Sequence, residues 1–140
     1  MDASHETFIR QAIALARASK NNGNHPFGAL LVLDGNVILT SENTVVTQSN
    51  PTHHAEFSLV DKAWQTLTKD QITNSILYTS CEPCPMCTGA IFWSQIRTVV
   101  YSLPAVTLGE MAKDKFCGPC TQLFDRADEK TTVIGPILPE

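Results

Sequence analysis

No apolar stretch of this sequence reaches the roughly 18 residues that a membrane-crossing helix requires, so no membrane span is expected. The opening MDASHETFIR has no basic start followed by an apolar stretch. No secretory signal is read there, and a cytoplasmic protein is expected. Positive charge is scarce: ten Lys and Arg stand against 14 Asp and Glu, for a net charge of −4, and the basic residues do not cluster. Proteins that grip nucleic acid ordinarily present a basic patch, so a nucleic-acid partner is not expected. Repeats, low-complexity segments and linkers are also missing. At 140 residues, 43% hydrophobic and 17% charged, the chain has the makeup of one soluble domain covering 1–140.

Cysteine, by contrast, is concentrated. Cys81, Cys84, Cys87, Cys117 and Cys120 fall within 40 residues. Without an export signal a disulfide framework is not expected. Metal or redox chemistry is the better reading.

Residues 5–20 carry Phe8, Ile9, Ala12, Ile13, Leu15 and Ala16 at helical spacing, and NNGN (21–24) ends that helix. FGALLVLDGNVILTSEN reads as two strands around Asp34-Gly35-Asn36, a tight hairpin signal. A polar loop over 47–53 precedes a helix from about Ala55 to Leu67. SILYTS (75–80) is a short strand, Pro83 and Pro85 bracket a turn, and Met86 to Gln95 resumes as a helix. IRTVVYS (96–102) is another strand, 105–126 is helical with a break near Gly118-Pro119, and TTVIGPIL is a last strand. Strands separated by helices predict an α/β fold, with a mostly parallel sheet covered on both faces.

Cys84-Pro85-Met86-Cys87 sits at the predicted start of a helix. Two thiolates at this spacing reach one ion, and a helix N-terminus favours thiolate over thiol. Zinc suits such ligands, and a catalytic zinc takes three protein ligands and leaves a position for water. The third ligand has to come from elsewhere, with a carboxylate near to move protons. His54 with Glu56 meets that need, although His53 stands beside His54.

Other readings exist for the same residues. His54 and Glu56 can be a surface pair at a helix start. Cys81-x-x-Cys84-x-x-Cys87, with Cys117 or Cys120 as fourth ligand, has iron–sulfur spacing, or the cysteines can close a structural zinc site. Cys117-Gly-Pro-Cys120 reads as two small buried residues, with a redox pair as the alternative. Trp93 is either a core residue or an aromatic wall of a pocket.

His54-Ala55-Glu56 followed about 30 residues later by Pro83-Cys84-Pro85-Met86-Cys87 resembles the zinc-dependent nucleobase and nucleoside deaminases, the cytidine deaminase-like superfamily. The likeness runs along nearly the whole chain. It implies a three-layer α/β/α sandwich with a mixed, mostly parallel five-stranded sheet. It also implies one Zn2+ per chain held by His54, Cys84 and Cys87, with water in the fourth position. Glu56 is then the acid–base group, and His53 lies outside the motif. Asn43, eleven residues before His54, would read the polar edge of a base, since an amide can donate and accept. Phe27, Trp93 and backbone groups of Ala55 and around Glu82 would complete the substrate site. Phe27 can equally be core. A homodimer is expected by the same likeness.

NPTHHAE, LYTSCEPCPMC and GAIFW look like the bacterial guanine deaminases. The transfer-RNA adenosine deaminases share the core motifs but need a basic surface, against which the pI of about 5.5 argues. Fungal cytosine deaminases share CTGAI and a C-terminal strand similar to TTVIGPIL. The chain departs from the guanine branch in LGEMAKDKFCGPCTQLF, which lacks an adjacent pair of acids, and in the tail GPILPE, which lacks an aromatic. Asp114, or else Glu110, would substitute for those acids, or would simply be a solvated helix charge. The expected activity is hydrolytic deamination of a nucleobase, guanine or a related aminopurine first. Cytosine or a nucleoside is the alternative substrate. A non-catalytic zinc or iron–sulfur protein is the alternative of another class.

Overall fold

The computed structural model describes residues 3–112, 118–126 and 130–138. The elements in chain order are α1 (Ala3–Asn21), β1 (Gly28–Leu33), β2 (Asn36–Glu42), α2 (Ala55–Thr66), α3 (Lys69–Asn74), β3 (Ile76–Cys81), α4 (Pro85–Ser94), β4 (Thr98–Leu103), α5 (Ala105–Ala112), α6 (Thr121–Phe124) and β5 (Thr132–Ile134). Among the described residues no helix is long and apolar enough to cross a membrane.

The five strands form one sheet in the order β2-β1-β3-β4-β5. β1 pairs antiparallel with both β2 and β3, while β3, β4 and β5 are parallel. Four strands therefore point one way and β1 alone opposes them, so the sheet is mixed and mostly parallel, as expected. The hairpin that reverses β1 into β2 turns at Asp34 and Gly35, with φ of 52° and 79°. Two successive left-handed residues match the twist of paired strands, and an Asp-Gly pair tolerates them.

Side chains alternate across a strand, and that alternation makes two cores. Leu31, Leu77 and Val99 pack with Leu59 and Ala63 of α2 and Ile91 of α4. Leu30, Val32, Tyr78 and Val100 pack with Ile9 and Ala12 of α1 on the other face. Each fully buried aliphatic side chain contributes about 1.5–3 kcal/mol. Helix α1 approaches β1 at Gly28, where a Cβ would stand 2.5 Å from Leu15 Cβ and 2.6 Å from the Ala12 carbonyl oxygen. Only glycine allows that approach.

The short helix α3 has no counterpart in the sequence reading. Its six residues bury only Ile72, too few for periodicity to register. Its signal is instead a capping box. The Gln71 N–H donates to Thr68 Oγ1 at 3.2 Å, and the Thr68 N–H donates to Gln71 Oε1 at 2.8 Å. The helical region expected over 105–126 divides into α5 and the four-residue α6.

Candidate active site

Two helix starts face each other. His54 is the N-cap of α2 and Cys84 the N-cap of α4, both in extended backbone, and neither side chain caps its own helix. Pro85 at the first turn of α4 sets the helical φ and needs no partner for an N–H. Cys87 lies one turn in and is fully buried. With α2 packed on α4, His54 Nδ1 comes to 3.6 Å from Cys84 Sγ and 3.7 Å from Cys87 Sγ.

These three ligand atoms lie within 4.8 Å of one another, and they form the one such group found among the described residues. A tetrahedral zinc with Zn–S of about 2.3 Å and Zn–N of about 2.05 Å puts S and N about 3.6 Å apart. The observed separations match that edge. A single ring nitrogen cannot aim one proton at both sulfurs, whereas a lone pair and two thiolates converge on one cation. The three residues are positioned to bind a metal ion. Cys81 is not in the group, which leaves the iron–sulfur spacing without its first ligand. The Cys87 thiol bonded to Cys84 holds Cys84 down to about 4 despite burial, and the same bond together with burial pushes Cys87 up. The Cys84 partner raises His54.

Glu56, the second residue of α2, is 6% exposed. Burial pushes its carboxyl up to about 7, and the Cys84 charge adds to the rise. Glu56 and His54 line a cavity of about 580 Å³, walled also by Phe27, Asn43, Glu82 and Leu108. The cavity opens beyond the C-terminal end of β3, where ligands collect in open α/β sheets.

Asn43 is 2% exposed and held by its backbone. Its N–H donates to the Phe27 carbonyl at 3.0 Å, and its own carbonyl accepts from Ser19 Oγ at 2.8 Å. Its Oδ1 accepts from the Val45 N–H at 3.0 Å. One lone pair of the amide oxygen is thus used by the chain, and Nδ2 and the second lone pair are left for a ligand. Phe27 packs on the core and also lines the cavity. Ala55 is fully buried at the first position of α2, where a helix N–H has no intrahelical partner.

Trp93 does not reach the cavity, nor is it core. It is 77% exposed and lines a separate groove with Phe57, Val60 and Trp64. Six residues at 100° each turn its side chain about 240° around α4 from Cys87, away from the ligand side. Asp114 and Cys117 lie outside the described residues. Glu110 is exposed on α5 and does not line the cavity. Cys81 lines the cavity and Cys120 is buried; burial pushes both thiols up. His53 is half-buried, away from the cavity lining.

Glu82 is a cavity residue whose side chain the sequence reading passed over. It is 6% exposed, and its two carboxylate oxygens accept from the Ala105 N–H at 2.9 Å and the Cys120 N–H at 2.7 Å. A lone acid inside Cys-Glu-Pro-Cys, with no basic residue near, was the available signal.

A profile of the cytidine and deoxycytidylate deaminase zinc-binding region matches residues 2–103. The chain belongs to this deaminase family. It is 44% identical over 112 residues to guanine deaminase of Bacillus subtilis, covering 79% of this chain and 72% of that protein. The crystal structure of that enzyme superposes with a TM-score of 0.71 at 37% identity, covering 98% of this chain and 86% of the other. A probable cytosine deaminase of Schizosaccharomyces pombe is 32% identical over 138 residues, 94% of this chain and 83% of its own. A tRNA-specific adenosine deaminase of Bacillus subtilis is 34% identical over 96 residues, 69% of this chain and 60% of its own. The five-stranded sheet flanked by helices is the fold of this family.

Proposed function

We propose that this deaminase hydrolyses the exocyclic amino group of a free nucleobase, guanine or a closely related aminopurine, releasing ammonia. The observation that carries the reading is Glu56. It is a buried carboxyl that burial pushes up, on one cavity wall with His54 and Cys84, two of the three residues grouped to hold a metal ion. A group near neutrality can both take and return a proton at working pH.

His54, Cys84 and Cys87 would hold a zinc ion, which when bound would lower the pKa of a water toward 7 and so supply a nucleophile. Glu56 takes one proton from a water and gives it to the ring nitrogen beside the reacting carbon, then takes the remaining proton from the hydroxyl so formed on that carbon and gives it to the departing amine. The water oxygen bonds to the carbon in the first of these steps; in the second the C–N bond breaks as the carbonyl forms, leaving the keto base and releasing ammonia. Asn43 donates from Nδ2 to an acceptor on the base edge. Phe27 lies along the ring, and Leu108 helps exclude bulk water.

Likeness to a guanine deaminase supports guanine. The likeness to a probable cytosine deaminase along 94% of the chain makes cytosine the second reading. The net charge of −4 disfavours an RNA substrate. We read the protein as cytoplasmic and as a homodimer. Asp114 is retained as a candidate contact for the amino edge of a purine.

Ammonia release from guanine, cytosine, adenine and their nucleosides, on protein of measured zinc content, tests the reading. Turnover of guanine is the expected result. Turnover of cytosine alone would replace the substrate. Full zinc content with every compound inert would refute the nucleobase assignment.

A further inference from the structure

We propose that Glu82 is a positioning residue that sets the cavity wall. Its carboxylate ties the start of α5 and the Cys120 turn to the strand end that leads into the metal-binding turn. For its effect on turnover this rests on the deaminase reading above; its effect on α5 does not.

Glu82 directly follows β3 and stands two residues before Cys84. Its N–H donates to the Leu103 carbonyl at the end of β4 at 2.8 Å, which anchors its backbone between two sheet strands. The side chain then reaches outward to two N–H groups on segments far along the chain, Ala105 at 2.9 Å and Cys120 at 2.7 Å. Ala105 is the first residue of α5 and Cys120 the N-cap of α6. A buried carboxylate accepting from such donors forms charge-assisted bonds, the stronger class. At a helix N-terminus it also meets the positive end of the helix dipole.

The tether matters because, among the described residues, no other helix or strand packs extensively on α5, whereas α6 packs on α4. Yet α5 carries Leu108, which lines the cavity together with His54 and Glu56. A lightly packed element opens readily. Apparent affinity falls by the fraction of time the binding-competent wall is in place. Glu82 therefore acts on substrate binding through the position of Leu108, without touching the reacting atoms.

The test is Glu82→Gln in the full, zinc-loaded chain. The amide keeps the size of the side chain but has one acceptor in place of two. Amide hydrogen exchange at Ala105 to Leu108 is expected to speed up about tenfold, with the amides of α2 and α4 unchanged and zinc still at one per chain. KM for the base turned over is expected to rise about tenfold while kcat falls by less than about threefold. Unchanged exchange at Ala105 to Leu108 would overturn the proposal. So would loss of zinc, or a fall in kcat at constant KM, since either would place the action of Glu82 on the metal turn. If the wild type turns over none of the bases, the functional reading fails, and the exchange comparison still decides the role of Glu82. Should Glu82→Gln not fold, Glu82→Asp keeps the charge, shortens the reach by one methylene and is read by the same measurements.

Discussion

His54 Nδ1 stands 3.6 Å from Cys84 Sγ, across 30 residues of sequence, because each residue begins a helix and the two helices pack side by side. Neither side chain caps its own helix, so both are free to point into the gap between the helix starts. That gap is also where the free N–H groups of both helices stabilise negative charge. The sulfurs and the glutamate therefore lie where the backbone already favours anions.

Removing both thiolates takes away two of the three ligands. Cys84→Ser with Cys87→Ser is expected to abolish zinc content and turnover together, measured by metal analysis and ammonia release. Retained metal and retained turnover in this variant would show that the ion sits elsewhere.

Glu56→Gln keeps the volume and most of the polarity of a buried side chain but cannot shuttle a proton. The variant is expected to fold and hold zinc, with kcat lower by about 10²–10⁴. A wild-type rate would exclude Glu56 from proton transfer.

The metal-free protein offers a separate check through pH. Burial raises the Glu56 carboxyl from 4.5 to about 7 in the folded chain. The folded state then binds more protons than the unfolded state between these values, so the Glu56 contribution to stability falls as pH rises through that window. It levels off above about 7. In urea titrations of metal-free protein, Glu56→Gln should gain on wild type by up to about 3 kcal/mol between pH 4.5 and 7. Parallel pH profiles for the two proteins would contradict the raised carboxyl.

Asn43 tests the single donor. Asn43→Asp keeps an acceptor for the Val45 N–H but replaces Nδ2 with oxygen. Its kcat/KM is expected to fall about tenfold to a hundredfold, as when a buried polar partner is left unmatched, with zinc content unchanged. An unaltered kcat/KM would remove Asn43 from base recognition.

The sheet, its hairpin and the two helix starts were legible in the sequence because they rest on short-range physics. Asp34-Gly35 accepts left-handed backbone, Leu30 and Leu31 alternate between faces, and Pro85 opens a helix. His54, Glu56, Cys84 and Cys87 were legible for a related reason. Cys84 and Cys87 are close enough in sequence to share a cation, and the likeness of His54-Ala55-Glu56 and Pro83-Cys84-Pro85-Met86-Cys87 to the deaminase motifs supplied the third ligand across 30 residues. The six-residue α3 escaped because a single buried residue, Ile72, makes no period.

What pairs across the chain was not legible. Trp93 follows Gly-Ala-Ile in a way that suggested a pocket wall, yet its angle about α4 turns it outward, and an angle shows only once the helix is docked. The bond from the Val45 N–H that holds the Asn43 amide depends on how the chain turns after β2. Glu82 lies 23 residues from Ala105 and 38 from Cys120, and nothing local links them. The sequence by itself determined the order of helices and strands, which follows from periodicity, and through its likeness to the deaminases it singled out His54, Glu56, Cys84 and Cys87 as the candidate site. Only the tertiary structure decided which polar atoms remain free in the cavity, because a hydrogen-bond partner is a matter of position in space.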